Sequence, residues 1–226
     1  MIRKALITGF EPYGGRSLNP SARLATALDG TRIGGLAVVG RTLPVVLDGL
    51  AERLEAWLTE LRPAAVIALG LWPGEPTIRL ERLAVNLADF AIPDNAEASA
   101  ADAAIVPAGA TALAVTLPLR AIERAMLAEC IPVRLSTTAG TYLCNAALYA
   151  LLGAIERHGA RVPCGFIHLP YVPEQVAALL AEARAGRLDL SHRADFASMD
   201  FAVMERALRI ALAVTAAKLG ENAESG

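Results

Sequence analysis

The sequence predicts an α/β fold, a single-domain three-layer sandwich in which helices cover both faces of a mixed, mostly parallel central sheet. Three observations predict it. Short β-rich apolar runs alternate along the chain with longer runs of helical periodicity, the pattern of strand and helix layers packed on one another. The run Ala64 to Leu71 is apolar throughout between Pro63 and Pro73, as a central strand covered on both faces requires. Finally, 226 residues of which 54% are hydrophobic suffice for one large core, and no internal repeat or linker divides them. The domain is expected over 1–219, followed by a disordered tail, GENAESG, at 220–226.

Ala5 to Gly9 reads as the first buried strand. In the segment FEPYGGRSLNPS that follows, Pro12, Gly14, Gly15 and Pro20 break regular structure around two aromatics and shape a long loop. Asn19 before Pro20 is a cap followed by proline in the first turn, so a helix should run to about Leu28. Leu36 to Leu43 is a second strand that ends at Pro44. Apolar residues at 47, 50, 54, 57, 58 and 61 keep a 3.6-residue period and predict a helix over Leu47 to Leu61. Beyond the central strand, Trp72 to Asp94 reads as strand and loop without a clear period, and the Ala-rich stretch Ala96 to Ala110 as a mobile excursion. Ala112 to Leu117 is then expected as a strand, Leu119 to Cys130 as a helix, and Val133 to Leu135 as a short strand. Thr141 to His158 should be a helix, Gly165 to Leu169 a strand reaching Pro170, and 173–184 and 199–219 the last two helices.

Charge and composition exclude several classes of function. A net charge of −2 with no run of Lys or Arg gives no surface for nucleic acid or an anionic membrane. Residues 135–155 carry no charge, but their first third is rich in Ser, Thr and Gly, which fits a helix buried in protein rather than a membrane span. Arg3 and Lys4 precede an apolar run of only Ala5 to Ile7, too short for a signal peptide. Cys130, Cys144 and Cys164 are odd in number and form no CxxC pair, so free thiols and a cytoplasmic location are expected. GFEPYGG has neither GxGxxG nor GxxxxGK[ST] spacing, and no nucleotide cofactor is expected. His158, His168 and His192 lack metal-ligand spacing, and no metal is expected.

The stretch STTAGTYLCNAALY, from Ser136 to Tyr149, carries the chemistry. Polar and glycine residues feed an apolar helix and place Cys144 in its first turn or two, where unpaired N–H groups and the positive end of the helix dipole favour thiolate. The bland alternative is a cysteine used as a small core hydrophobe. A cysteine nucleophile needs a base, and His168 ends the apolar run GFIHLP where a strand opens into the crevice that ligands of α/β folds occupy. A hydrogen-bonded structural histidine is its alternative. His158 falls at a helix end, where it would cap carbonyls, and His192 in a polar, solvated loop. Glu81 stands among Leu80, Leu83 and Val85, where a buried carboxylate would need a partner, although Arg82 beside it offers a simple surface ion pair.

Segments along nearly the whole chain are similar to those of the pyrrolidone-carboxylate peptidases, the pyroglutamyl-peptidase I family of cysteine peptidases. They are LITGFEPYGG and NPS near the start, LPVV at 43–46, ERLAVN at 81–86, IPDN at 92–95, STTAGTYLCN at 136–145 and FIHLPYVPEQ at 166–175. The resemblance implies an α/β/α sandwich, a triad of Cys144, His168 and Glu81, no cofactor, and a homo-oligomer, dimer or tetramer. Peptides bearing N-terminal pyroglutamate are the implied substrate. That residue is a flat lactam with no free amine, so it must be gripped as a ring, and Phe10 and Tyr13 resemble the family's aromatic pair around it. Asn19 looks like a polar neighbour of the ring, with a plain helix cap as its alternative. Ile92, Tyr142 and Leu143 fall in matching segments and are implied to line the same pocket.

Two positions depart from the family pattern. Leu71 stands where the family usually has Gln, with Trp72 and Pro73 replacing a glycine-rich turn, and Ala91 stands where it usually has Arg before IPDN. The resemblance implies that the first change removes an amide from the ring pocket and the second a charge from the oxyanion site. Weak turnover, a non-catalytic binding role, or a thiol amidase acting on another cyclic or acylated amine are the alternatives this leaves.

Overall fold

The computed structural model describes residues 2–159, 161–187 and 196–224. In order, the elements are β1 (Lys4–Phe10), α1 (Pro20–Leu28), β2 (Arg32–Ile33), β3 (Leu36–Leu43), α2 (Leu50–Leu61), β4 (Ala65–Leu71), β5 (Ile78–Val85), β6 (Ala112–Ala114), α3 (Leu119–Ala128), β7 (Val133–Thr138), α4 (Leu143–Arg157), β8 (Cys164–Leu169), α5 (Pro173–Arg184) and α6 (Phe201–Glu224). One sheet runs β2-β3-β1-β4-β8-β5-β6, with β7 paired to β5. The β1–β3, β1–β4, β4–β8 and β5–β7 pairings are parallel; β2–β3, β5–β8 and β5–β6 are antiparallel. The sheet is therefore mixed and mostly parallel, as expected.

Alternation along the strands sorts side chains between two cores. Ala5 and Ile7 of β1, Ala65, Ile67 and Leu69 of β4, Ile78 and Leu80 of β5, and Ile167 and Leu169 of β8 pack with α1, α3 and α6. Leu6 and Phe10, Val66 and Ala68, Ala84, and Cys164 and Phe166 pack on the opposite face with α2 and α4. Helices thus cover both faces. The α4 layer is apolar all round, with Leu143, Ala147, Leu148 and Leu151 all buried, as a helix under a covering layer should be.

Connection direction reverses at β1. Strand β3 lies on one side of it and β4 on the other, and the β1–β4 ladder ends at Thr8 and Ala68 while both chains continue. A crevice at the carboxyl ends of the strands is the consequence.

The structure places one strand within a stretch read as strand and loop, adds one short strand, and corrects two expectations. Trp72 to Asp94 contains a full strand, β5, whose period was hidden because Arg79 and Glu81 are charged yet turned inward. Strand β2 is a two-residue pairing too short to carry a pattern. The stretch Ala96 to Ala110 is fastened rather than free: the Asn86 side chain both accepts from Val106 N and donates to Val106 O, Tyr149 Oη donates to Ala110 O, and Ala103 bridges to Ala88. Helix α6 continues to Glu224 through the expected tail, because Glu, Ala and Lys are good helix formers and Lys218 pairs with Glu221 one turn on. Residues 225–226 lie outside the described residues. Among the described residues no helix is long and apolar enough to cross a membrane.

Candidate active site

The pleat that sorts the core also gathers the reactive groups. His168 follows Cys164 and Phe166 on the α2/α4 face of β8, and Arg79 and Glu81 occupy the same face of β5, alternating with Ile78 and Leu80. In the antiparallel register Arg79 stands opposite His168, and in the parallel register with β7 Glu81 stands beside Ser136. His168 and Glu81 are buried to 1% and 0% exposure, and His168 Nδ1 lies 2.8 Å from Glu81 Oε1. Arg82 is exposed, so the surface ion pair is not what Glu81 forms.

Cys144 is the second residue of α4. Its sulfur rests against Gly70, where an added Cβ would lie 2.6 Å from Sγ and 2.9 Å from the Phe166 ring. Gly70 is the β4 partner of His168, so the sulfur lies over the pair of neighbouring strands that carries the imidazole. The N-cap Tyr142 makes no side-chain capping bond, which leaves the first N–H groups of α4 available to an incoming anion. Asn145 fixes that helix end to the sheet: its Oδ1 accepts from Val85 N, and its Nδ2 donates to Val85 O and Leu87 O.

Electrostatics correct one expectation. Burial first, then the Glu81 carboxylate, push the Cys144 thiol up to about 12, and a backbone hydrogen bond opposes them without prevailing. The resting sulfur is a thiol, and the helix end alone does not ionise it. Burial also holds His168 below its ordinary value against the pull of Glu81, so the ring is neutral and able to accept a proton at neutral pH.

The remaining residues implied for the pocket come from loops and from the ends of β1, β4 and α4. Phe10 is buried in the α2/α4 core, and its backbone N–H is held by Ser21 Oγ. The Tyr13 and Tyr142 rings are 6.1 Å apart, and Phe90 packs edge-on to Tyr142 at 4.8 Å. Burial raises both tyrosine hydroxyls, and Cys144 contributes to each shift, which puts both within electrostatic reach of the thiol. Asn19 is spent on structure: its Oδ1 accepts from Ser21 N to cap α1, and its Nδ2 donates to Glu11 O at 3.0 Å. Leu143 is buried in the core, and Ile92 is an exposed side chain lying over Gly14. Leu71 pairs with Leu169, and the pleat turns its side chain to the face opposite Gly70, leaving its backbone to the crevice. Ala91 is exposed. His158 caps α4 with its ring 3.2 Å from Glu55, and His192 lies outside the described residues.

Arg79 and Trp72 escaped sequence reasoning. Arg79 Nε lies 3.0 Å from the same Glu81 oxygen that His168 uses, and its guanidinium lies under the Trp72 ring at 3.6 Å. Trp72 also meets the His168 ring edge-on at 5.0 Å. The alternation Ile-Arg-Leu-Glu, with two charges on one face of an apolar strand, was the available signal.

The family model for pyroglutamyl peptidases matches residues 3–218. A pyrrolidone-carboxylate peptidase of Pyrococcus furiosus is 45% identical over 173 residues, 76% of this chain and 83% of that one. Another, of Cupriavidus pinatubonensis, is 40% identical over 226 residues, 100% of this chain and 98% of that one. The structure of pyrrolidone carboxyl peptidase from Thermococcus litoralis superposes with a TM-score of 0.89 at 36% identity, covering 97% of this chain and 96% of that one.

Proposed function

The chain belongs to the pyroglutamyl peptidase family, hydrolases that act on peptide bonds, and we propose that it removes N-terminal pyroglutamate from peptides through a thioester on Cys144. The observation that carries this reading is the buried His168–Glu81 bond beside a thiol at an uncapped helix end.

With Nδ1 of His168 engaged by Glu81, Nε2 is the ring nitrogen left to act as base toward the sulfur. Nε2 takes the thiol proton as Sγ attacks the pyroglutamyl carbonyl. Charge then develops on the carbonyl oxygen, where the free N–H groups at the start of α4 can receive it. The imidazolium returns its proton to the departing amine, and Glu81 stabilises the charged ring while it lasts. Water, deprotonated by the same imidazole, releases pyroglutamate and restores the thiol. Tyr13, Tyr142 and Phe10 form apolar walls suited to a flat lactam, and the Leu71 backbone supplies polar groups at its edge. A cytoplasmic location and a homo-oligomeric assembly belong to the same proposal, the second checked by light scattering.

The test is release of a fluorogenic amine from a pyroglutamyl amide by the pure protein with thiol present. Turnover lost in Cys144→Ala and reduced at least about 10³-fold in His168→Ala is expected. Glu81→Gln should retain a residual rate, because the ring keeps a hydrogen-bond partner but loses its charge partner. Equal silence of wild type and Cys144→Ala, with pyroglutamate still raising the melting temperature, would instead make this a binding protein.

A further inference from the structure

Arg79 is the third charged group at the heart of the site, and its surroundings are built around it. It stands opposite His168 across β5 and β8 and beside Arg134 across β5 and β7, a row that sets two cations next to each other. Glu75 resolves the repulsion: its carboxylate takes Arg134 Nη2 at 2.8 Å and Nε at 3.1 Å, and Arg79 Nη1 at 3.5 Å. Burial acts to raise the Glu75 carboxyl, but Arg134, Thr77 and Arg79 outweigh it and keep it low. The other end of the guanidinium reaches the strand that leads to the cysteine, donating from Nη2 to Ser136 Oγ at 2.6 Å and to Thr138 O at 3.4 Å. Trp72 closes the stack from above, and its ring would touch a Cβ placed on Gly140 in the β7–α4 loop. One side chain thus ties Glu81, the end of β7 and the turn after β4 together.

We propose that Arg79 is a positioning residue for the reaction, aiming the Glu81 carboxylate at His168 and limiting how strongly that carboxylate holds a proton on the ring. The inference rests on the catalytic reading of Cys144, His168 and Glu81. Its geometric basis is that Arg79 Nε and His168 Nδ1 converge on one oxygen, Glu81 Oε1, while Oε2 has no hydrogen-bond partner among the described residues. Two donors on one oxygen share its charge, so the cation weakens the attraction between Glu81 and imidazolium. The charged and titratable groups facing His168 are Arg79 and Glu81 from β5, Glu75 from the β4–β5 turn and Cys144 from α4, with Arg134 of β7 behind Glu75. Removing Arg79 leaves the Glu81 carboxylate without its cation, while Arg134 still holds Glu75, and favours the protonated ring.

The test compares Arg79→Met and Arg79→Lys with wild type in two measurements. In kcat/KM against pH, Arg79→Met should move the acid limb to higher pH and lower plateau kcat by about tenfold to a hundredfold, with KM little changed. Arg79→Lys should return the limb toward its wild-type position. Histidine NMR titration supplies the second measurement, made tractable by only three histidines, with His168→Gln assigning the signal. The His168 midpoint should rise in Arg79→Met. If that substitution prevents folding, Ser136→Ala removes one support of the guanidinium and should shift both readouts the same way by less. A Cys144-dependent wild type whose Arg79→Met profile and titration superimpose on its own overturns the proposal. Turnover that is insensitive to Cys144→Ala overturns the catalytic reading instead.

Discussion

Gly70 decides whether a cysteine can stand where Cys144 does. A methyl at that position would overlap both the sulfur and the Phe166 ring, and neither a helix-borne Sγ nor a packed aromatic in the core can retreat cheaply. Gly70→Ala should therefore displace α4 from the sheet, lowering the urea midpoint and abolishing turnover together. The thiol itself is held protonated by burial and by Glu81, so alkylation measures ionisation as well as access. Iodoacetamide should modify the exposed Cys130 first at neutral pH, and labelling of Cys144 should climb through the alkaline range without an early plateau. A plateau below neutrality, read by peptide mass mapping, would show a resting thiolate. His168 sets the opposite limb. Its folded pKa lies below the ordinary 6.5, so kcat/KM should hold constant above that value and fall only at more acid pH. The same proton is bound more tightly by the unfolded chain, so His168's contribution to stability is present above 6.5 and is lost as pH falls through the folded value.

At the scale of elements, α4 and β5 act as one unit through Asn145. It is fully buried and satisfies the backbone of Val85 on both sides, a contact joining the helix that carries the cysteine to the strand that carries Glu81. Asn145→Ala would leave a partly buried N–H and two carbonyls without this partner, so a loss of about 1–3 kcal/mol is expected in denaturant unfolding. A larger fractional change in kcat than in KM should accompany it, because in the proposed mechanism the helix end serves the transition state. These two elements also mark the limit of what the sequence revealed. Helix α4 was legible because a Ser/Thr/Gly loop and a long apolar run bracket its start, and Cys144 and His168 were found from strand and helix ends. Strand β5 was legible only as a strand without bounds in a strand-and-loop stretch, since inward-facing Arg79 and Glu81 invert the expected alternation and its partner changes from β8 to β6 along its length. Glu81 was found as an acid among leucines, whereas its partnership with Arg79 depends on register, which short-range pattern does not carry.

Across the whole molecule, the pocket is an assembly of segments far apart in sequence, and its walls were legible only through family resemblance. Residues 9–15, 89–95 and 139–142 meet above the ends of β1 and β4, a convergence set by the sheet order rather than by any local signal. The structure also redistributes the two departures. Leu71→Gln would place an amide on the apolar face shared with Leu169, so it should lower stability rather than KM, and Ala91→Arg would add an exposed side chain to the loop rim. What holds the rim is Asp94. Its carboxylate accepts from the backbone N–H of Leu47, Ala96 and Ala98, while the neighbouring Asn95 side chain donates to Glu11 Oε1 and Pro12 O of the first loop. Burial acts to raise the Asp94 carboxyl, but the three N–H groups outweigh it and lower the pKa below 3.8. The latch therefore stabilises the fold above that pH and is lost as pH falls through the folded value. Asp94→Ala breaks it at any pH. Because Asp94 fastens the rim of the proposed ring pocket and bonds Leu47, Ala96 and Ala98 rather than the sulfur or the imidazole, the substitution should raise KM for a pyroglutamyl amide about tenfold and leave kcat nearly unchanged. Hydrogen exchange should quicken at Leu47, Ala96 and Ala98 while the amides of β4 and β8 stay protected. A fall in kcat at constant KM would mean that the rim reaches the reacting groups and that the pocket and the triad are one mechanical unit.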